Sequence, residues 1–147
     1  MPTDSGPTPA LPCACASLRR AARAVTQLYD DAIRSSGLRV TQFTLLQVLG
    51  RRGELTQSEL GNLLALDSTT LSRTLRPLEA SKWIRSRAGE DRRERHWSIT
   101  SAGQRKLDAA VPAWESSQAR LHRRIGDEQW QRILSDLAAI AASARAI

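Results

Sequence analysis

With 147 residues, 41% of them hydrophobic and only 4% aromatic, the chain is long enough for one domain with a largely aliphatic core. Its formal net charge of +7, carried almost entirely by arginines, favours a polyanionic partner, most commonly nucleic acid. No stretch approaches the roughly 20 apolar residues that a membrane-spanning helix requires, which argues against an integral membrane protein.

Residues 1–12 are predicted to form a flexible arm, because they contain four prolines among small and polar residues. They have neither the basic start nor the apolar stretch of a signal peptide. The chain is therefore expected to be cytoplasmic, with no membrane partner. In that compartment Cys13 and Cys15 are expected to be reduced thiols rather than a structural disulfide.

Two helices are predicted from apolar residues that recur at helical spacing after the arm. The first covers about residues 15–36 and ends at Gly37, a residue suited to the left-handed cap of a helix. The second covers about residues 41–52 and stops before Gly53.

Two shorter helices follow, over about residues 57–65 and 68–81, each with leucines at helical spacing. Asp67 or Ser68 can accept hydrogen bonds from the free amides at the start of the second helix. Two short helices joined by a tight turn are typical of a helix-turn-helix.

The spacing of apolar residues then changes from about 3.6 to 2, which indicates strands. Residues 84–88 and 95–99 alternate in this way around the polar segment 89–94, and they are predicted to form a β-hairpin. A long helix follows to about residue 124, and a last amphipathic helix begins at Asp127.

This order of elements predicts a mainly α fold with a minor β part: a winged helix-turn-helix with N-terminal and C-terminal dimerisation helices. The first and last helices are too far from the small central core to be buried by it, so an identical partner chain is expected to cover them. The predicted dimer contacts are Leu18, Val25, Leu28, Trp130, Ile133, Leu137 and Ile140. The predicted division is an arm at 1–12, a dimerisation and sensor helix at 13–40, a winged helix-turn-helix module at 41–100 and dimerisation helices at 101–147.

The helix over residues 68–81 is the candidate recognition helix, because short hydroxyl side chains and arginines lie opposite its leucines. The hairpin adds a cluster of arginines that repel one another unless phosphates or a narrow minor groove accept them. Asp91 is expected to orient the guanidinium of Arg93. Either feature alone also fits a solvated surface, whereas both together indicate binding to double-stranded DNA. The candidate DNA contacts are Ser68, Thr69, Thr70, Ser72, Arg73, Arg76, Arg87, Asp91, Arg92, Arg93 and Arg95.

The segment from Leu55 to Leu107 resembles the MarR family of bacterial regulators. The matching runs are Leu60-Gly61-Asn62-Leu63-Leu64, Thr69-Thr70-Leu71-Ser72-Arg73, Leu78-Glu79, the wing signature Asp91-Arg92-Arg93 and Ser98-Ile99-Thr100-Ser101-Ala102-Gly103. The resemblance implies an obligate homodimer with interlocking terminal helices, which binds a pseudo-palindrome and usually represses a nearby promoter. Trp83 departs from the family, which commonly has a smaller aliphatic residue there.

Cys15 lies in the first turn of the first predicted helix, where free amides, the helix dipole and Arg19 one turn later favour a thiolate. The structural alternative is a small apolar side chain at a helix start. The segment from Cys15 to Tyr29 is similar to the organic-hydroperoxide-sensing branch of the family. This resemblance implies that Cys15 is oxidised and that Tyr29 hydrogen-bonds it. Because the intervening helix spans about 21 Å, that contact would have to cross the dimer. The second tyrosine of the branch falls at Val40.

Three effectors fit the residues. An oxidant would convert Cys15 to a sulfenate, which Cys13 or a partner thiol resolves; a soft metal ion would be chelated by the same two thiols. A small aromatic or lipophilic ligand would enter a crevice between the dimer helices and the winged module. His96 and His122 lack neighbouring metal ligands in sequence and are interpreted as ordinary residues.

Two other classes of protein are disfavoured. An enzyme is not expected, and neither is a cofactor, because the chain has no Gly-rich phosphate loop, paired-carboxylate motif or Cys-x-x-Cys unit. A non-specific architectural DNA binder typically inserts apolar wedges and lacks a recognition helix rich in Ser, Thr and Arg.

Overall fold

The computed structural model describes residues 9–91 and 93–146, and within these ranges it is mainly helical with one small sheet. Most of the predicted arm and the candidate contact Arg92 therefore lie outside the described residues. The elements are α1 (Ala14–Ile33), a 3-10 turn (Arg34–Ser36), α2 (Val40–Arg52), β1 (Leu55–Thr56), α3 (Gln57–Leu64), α4 (Ser68–Ala80), β2 (Ile84–Ala88), β3 (Arg95–Ile99), α5 (Ser101–Ile125) and α6 (Asp127–Arg145). The predicted fold class, a winged helix-turn-helix with additional terminal helices, is confirmed.

The helix boundaries follow from local chemistry that the sequence displays. Gly37 adopts a φ of +74°, in the left-handed region where a residue without Cβ is unstrained, and it ends the turn that follows α1. Asp67 caps α4 by accepting a hydrogen bond from the Thr70 backbone N–H. Thr56 and Glu59 form a reciprocal capping box at the start of α3, a signal that the sequence analysis missed.

The sheet has three strands in the order β1-β3-β2, one more than the predicted hairpin. The pairing of β2 with β3 joins Ile84 to Ile99 and Ala88 to Arg95, as expected for a hairpin. The additional strand, β1, pairs Leu55 with Trp97. Two residues are too few to show an alternating pattern, so this strand could not be recognised from periodicity.

The core lies where α2, α3 and α4 meet the sheet and α5. Its buried residues are Ile33, Leu38, Phe43, Leu45, Leu46, Leu49, Leu60, Leu71, Leu75, Leu78, Ile84, Trp97, Leu107 and Ala110. These side chains are mostly aliphatic, as the composition predicts, and their burial is the main source of stability. Phe43 and Trp114 add one aromatic contact between α2 and α5, with ring centroids 5.3 Å apart.

The terminal helices differ from the expectation that the central core buries neither of them. The C-terminal half of α1 is part of that core: Ile33 is fully buried and Tyr29 is buried nearby. The helix reaches the core because it packs along α5, a contact between segments that are far apart in sequence. In contrast, α6 has no buried residue, and Leu134, Leu137 and Ile140 are between 44% and 49% exposed. The expectation is therefore wrong for α1 and holds for α6 within the protomer.

None of the helices among residues 9–91 and 93–146 is long and apolar enough to span a membrane.

Candidate nucleic-acid interface

The candidate recognition helix α4 buries the face that carries its leucines, as the spacing of these leucines predicts. Leu71, Leu75 and Leu78 are at most 1% exposed and fix one face of the helix in the core. The opposite face carries the candidate DNA contacts Ser68, Thr69, Thr70, Arg73 and Arg76, all of which are exposed, while Ser72 is half-buried at its edge. A helix held in this way presents arginines and short hydroxyl side chains together, as readout in a major groove requires.

The Thr70 hydroxyl does not point away from the chain, because it is part of the helix cap. It donates to Asp67 Oδ2 at 2.7 Å, while the Thr70 backbone N–H donates to Asp67 Oδ1 at 2.8 Å. These two bonds lower the pKa of Asp67 below its ordinary value of 3.8. Among the candidate contacts, Thr70 thus has a structural role at the start of α4.

We predict that this cap makes the protein less stable at low pH, where the Asp67 carboxylate becomes protonated. Because the folded-state pKa of Asp67 is lowered, its stabilisation is fully present above pH 3.8 and is lost as the pH falls through the lowered value. Asp67→Asn keeps one acceptor oxygen but does not titrate, so the free energy of unfolding should vary less with pH in this acid range. Denaturant unfolding at pH values from 2 to 6, in steps of roughly half a pH unit, measures how the free energy of unfolding changes with pH.

Thr70→Val provides the matched comparison. It keeps the backbone N–H that donates to Asp67 Oδ1 and removes the hydroxyl that donates to Oδ2. The dependence of stability on pH in the acid range should therefore become smaller than in the parent protein without disappearing. If Thr70→Val and the parent protein behave alike, the cap at Asp67 does not contribute as described.

Arg87 is paired with a carboxylate of its own chain. Its Nε donates to Glu54 Oε2 at 2.8 Å, and its Nη2 donates to the other oxygen of the same carboxylate. This two-point hydrogen bond lowers the pKa of Glu54 and raises the pKa of Arg87. Sequence reasoning missed Glu54, which lies 33 residues away and is brought close by the pairing of β1 with β3.

Arg95 lies over the sheet, in a cleft of about 330 Å³ between the wing and α4. Its Nη2 donates to Ser86 Oγ at 2.7 Å, and its guanidinium carbon is 5.6 Å from the centre of the Trp97 ring. The Ser86 hydroxyl in turn donates to Glu79 Oε1 of α4 at 2.7 Å. Arg95 therefore helps to connect the wing to the recognition helix.

Asp91 shapes the wing tip through a contact with the backbone of Arg93, whereas the sequence predicted a contact with the Arg93 guanidinium. One Asp91 carboxylate oxygen accepts the backbone N–H of Arg93 at 2.9 Å, rather than its guanidinium. The backbone bonds from Glu94 N–H to Asp91 O and from Gly89 N–H to Glu94 O close the turn. Arg93 is exposed, and within the described part of the chain no hydrogen bond or ion pair holds its guanidinium. The tip thus presents Arg93 to solvent.

Gln57 is a further polar residue at this surface that sequence reasoning missed. It begins α3, and its side chain lies between Trp97 of β3 and Ser72 of α4. Its neighbours are 40 and 15 residues away, so no local pattern in the sequence marks it.

Both histidines have carboxylate neighbours in space that the sequence analysis did not identify. His96 Nδ1 is 3.6 Å from Glu54 and its Nε2 is 3.4 Å from Glu94, so the two carboxylates lie on opposite sides of the ring. His122 Nε2 is 3.0 Å from Asp127. Among the residues described, no three His, Cys, Asp or Glu side chains form a group that could hold a metal ion.

The candidate sensor residues are not brought together within the protomer. Cys13 precedes the first residue of α1 and Cys15 lies in its first turn; both are exposed, and no side chain caps this helix end. Tyr29 lies near the other end of α1, where its hydroxyl donates to Gln118 of α5 and burial raises its pKa. Its hydroxyl is thus already paired within its own chain.

Arg19 is one of the residues that line an open cleft of about 590 Å³ along α1. The lining is dominated by charged side chains: Arg19, Arg23, Asp30, Asp31, Arg34 and Arg39. Such a surface suits a polar ligand better than the aromatic or lipophilic one considered above, since apolar lining is typical of sites for such ligands.

The chain is similar to known transcriptional regulators. The family model described as MarR family matches residues 36–94. The crystal structure of the M. tuberculosis transcriptional regulator MosR in complex with DNA is 39% identical with a TM-score of 0.84, and the match covers 91% of this chain and 97% of that one. A second crystal structure of MosR is 37% identical with a TM-score of 0.80, covering 92% and 98%.

A further relative is the uncharacterized HTH-type transcriptional regulator YwoH of Bacillus subtilis (strain 168). It is 29% identical over 91 residues, which are 62% of this chain and 66% of YwoH. The chain thus spans just under two thirds of that relative's length.

Proposed function

This chain belongs to the MarR family of transcriptional regulators, and we propose that it binds operator DNA as a homodimer and represses transcription at the bound site. The matched proteins are regulators, which confirms the expectation that the chain is not an enzyme. The observation that carries the proposal is the exposed face of α4, with Arg73 and Arg76, held beside a wing whose tip presents Arg93.

The contacts between the wing and α4 support simultaneous binding to two parts of a duplex. The two elements are joined by the bonds of Arg95, Ser86 and Glu79, so their spacing is fixed before DNA arrives. A preorganised pair of this kind loses less conformational entropy on binding than two independent elements would. In the proposed complex α4 enters a major groove, and Arg93 reaches the adjacent minor groove or backbone.

The terminal helices support the homodimer. Leu134, Leu137 and Ile140 form an exposed apolar stripe on α6, and Val25 of α1 is 36% exposed. A contiguous apolar surface of this kind is typical of an interface with another chain. A two-fold axis through these helices would place two copies of α4 on successive major grooves of a pseudo-palindrome, about 34 Å apart. The predicted contacts Leu18, Leu28, Trp130, Ile133 and Leu137 belong to this proposal.

Operator selection tests the proposal directly. The protein would be used to select duplexes from a library with a randomised centre, and affinities for selected and random DNA would be compared at one salt concentration. A specific regulator should prefer the selected duplexes by roughly a thousandfold or more. Equal affinities would instead indicate an architectural DNA binder, and a monomer at micromolar concentration in sedimentation would contradict the dimer. Transcription in vitro from a promoter that overlaps the operator distinguishes repression from activation.

For the effector we favour oxidation of Cys15. Its thiol is exposed in the first turn of α1, where a peroxide can reach it. An organic hydroperoxide would transfer one oxygen atom to sulfur and leave as an alcohol. The Cys13 thiol would then attack the sulfenic acid, forming a disulfide and releasing water. The resemblance of α1 to the hydroperoxide-sensing branch supports this order of events.

The local contacts indicate how such a disulfide would act. The chain before α1 folds back on the helix, since Arg20 Nη2 donates to Pro9 O at 2.7 Å and Ser17 Oγ donates to Leu11 O at 3.2 Å. A disulfide would hold the Cβ atoms of Cys13 and Cys15 about 3.8 Å apart, a constraint that the two free thiols do not impose on the start of α1. In this scheme the new constraint alters the contacts of Arg20 and Ser17 with the preceding chain, and through α1 it reaches the proposed dimer interface. Tyr29 has no part in this scheme, because its hydroxyl is paired with Gln118.

We predict that Cys15→Ser abolishes the release of operator DNA by cumene hydroperoxide, because serine does not form a sulfenic acid. Cys13→Ser is the matched control: it should still gain one oxygen atom at Cys15 but form no disulfide within the chain. Fluorescence anisotropy of labelled operator and intact-protein mass spectrometry measure the two steps. A full response in Cys15→Ser would exclude both oxidation and soft-metal binding at the thiols, and would leave a small-molecule ligand as the effector.

A further inference from the structure

Gln57 joins the wing to the recognition helix through both ends of its amide. The indole Nε1–H of Trp97 donates to Gln57 Oε1 at 3.3 Å, and Gln57 Nε2 donates to Ser72 Oγ at 3.2 Å. Trp97 is only 4% exposed and is paired with Leu55 in the sheet, so one end of this bridge is fixed in the core. The other end is a hydroxyl on the DNA-facing side of the chain.

The chemistry of the three groups sets the direction of every bond in the bridge. An indole N–H donates and has no acceptor, so the amide must present its oxygen to Trp97. The amide nitrogen, which only donates, then faces Ser72. The Ser72 oxygen must therefore accept, and its own O–H is left to donate elsewhere.

Ser72 differs in this respect from two other hydroxyl residues of α4. Thr70 donates to the Asp67 carboxylate, and Thr74 donates to the Thr70 carbonyl at 3.0 Å. For Ser72, no group in the part of the chain that the structure describes accepts a hydrogen bond from Oγ. Its neighbour in sequence on the exposed side is Arg73, a candidate base contact.

We propose that Gln57 is a positioning residue that fixes Ser72 as a hydrogen-bond donor to the operator, and so selects a base with an acceptor in the major groove. Guanine (N7, O6), adenine (N7) and thymine (O4) offer such acceptors, whereas the cytosine edge offers a donor. Gln57 acts through Ser72 and need not touch the base. The inference rests on the proposed binding of operator DNA and adds a determinant of its sequence.

Gln57→Glu tests the direction of the bridge with little change of shape. A carboxylate only accepts, so it would still accept from Trp97 but would force Ser72 to donate inward. The Ser72 oxygen would then offer DNA only an acceptor. Adenine or cytosine, whose major-groove edges carry an amino group, should therefore become preferred over guanine or thymine at that position of the contacted strand. The probe is the set of duplexes that each variant selects from a randomised library, with relative affinities for every single-base change.

Ser72→Ala is a second variant that keeps the test valid if Gln57→Glu does not fold. It should lower affinity for the selected duplex by roughly two- to tenfold at each half-site and flatten the preference at the same base pair. Gln57→Leu controls for the added negative charge: it has a similar length, bears no charge and makes neither bond of the bridge, so it should weaken the preference at this base without creating a new preference for adenine or cytosine. Thermal unfolding of each variant reports whether it is folded.

The outcomes separate this inference from the proposed function. If the parent protein selects no sequence, operator binding itself is wrong. If the parent is selective but Gln57→Glu and Ser72→Ala keep its preferences at every position, only the role of Gln57 is overturned. A loss in Ser72→Ala that is equal for all duplexes also overturns it, because Ser72 would then contact a phosphate.

Discussion

Arg93→Ala is expected to lower the affinity of the dimer for operator DNA by roughly thirtyfold or more, at a cost of about 1–3 kcal/mol in each half-site. The guanidinium of Arg93 is exposed and unpaired within the described residues, so its loss removes a DNA contact and no intramolecular bond. The turn that carries it is held by backbone bonds to Asp91 and should keep its shape. Electrophoretic mobility shift at several salt concentrations measures both the affinity and its salt dependence.

Arg87→Ala is the matched control in the same hairpin. Arg87 is held by the Glu54 carboxylate through two nitrogens, and it would have to break this ion pair to reach DNA. The substitution should therefore reduce affinity much less than Arg93→Ala. If both variants lose affinity equally, the ion pair opens on binding and the original assignment of Arg87 as a DNA contact is right.

Much of the fold was predictable because its signals are local. The spacing of Leu71, Leu75 and Leu78 specified which face of α4 is buried, and Asp67 marked where the helix begins. The alternation in the two long strands specified the hairpin. Each of these signals depends on residues within a few positions of one another, so a single sequence contains them.

The contacts that organise the candidate site join residues far apart in the chain. Glu54 and Arg87 are 33 positions apart, Gln57 and Trp97 are 40 apart, and both pairs depend on the two-residue strand β1. A strand this short has no periodicity, so the sequence predicted arginines on the wing without showing which of them are paired. The same limit applies to Tyr29, whose partner Gln118 lies 89 positions away on α5. A resemblance confined to α1 could not reveal that contact.

Gly103→Ala is expected to lower the free energy of unfolding more than an added methyl group at Gly50 or Gly61 would, because its Cβ would approach backbone atoms most closely. Gly103 lies in the first turn of α5, where a Cβ would be only 1.9 Å from the Trp83 carbonyl oxygen and 2.9 Å from Ile99 Cγ1. The Trp83 oxygen belongs to the backbone and also accepts the Thr100 backbone N–H at 3.0 Å, so it cannot move away independently. The start of α5 would have to shift from the base of the wing.

Overpacking in a protein core typically costs about 1–3 kcal/mol of stability, and a clash this close should reach the upper limit. We therefore expect the free energy of unfolding to fall by about 3 kcal/mol. For a chain of this size that corresponds to a fall of roughly 6–12 °C in Tm. Denaturant unfolding and thermal scans at fixed protein concentration measure the loss; the concentration must be fixed because a dimer's apparent stability depends on it. Since α5 leads into α6, the proposed dimer should weaken as well.

Gly50→Ala shows what the same change does where there is room. Gly50 lies inside α2, and its added Cβ would meet the flexible Gln104 side chain at 3.2 Å and Leu107 Cδ2 at 3.4 Å. In a helix interior alanine is favoured over glycine by about 0.5–1 kcal/mol, so this variant should be as stable as the parent or slightly more stable. If Gly103→Ala instead unfolds at the same temperature as Gly50→Ala, the first turn of α5 does not approach Trp83 this closely.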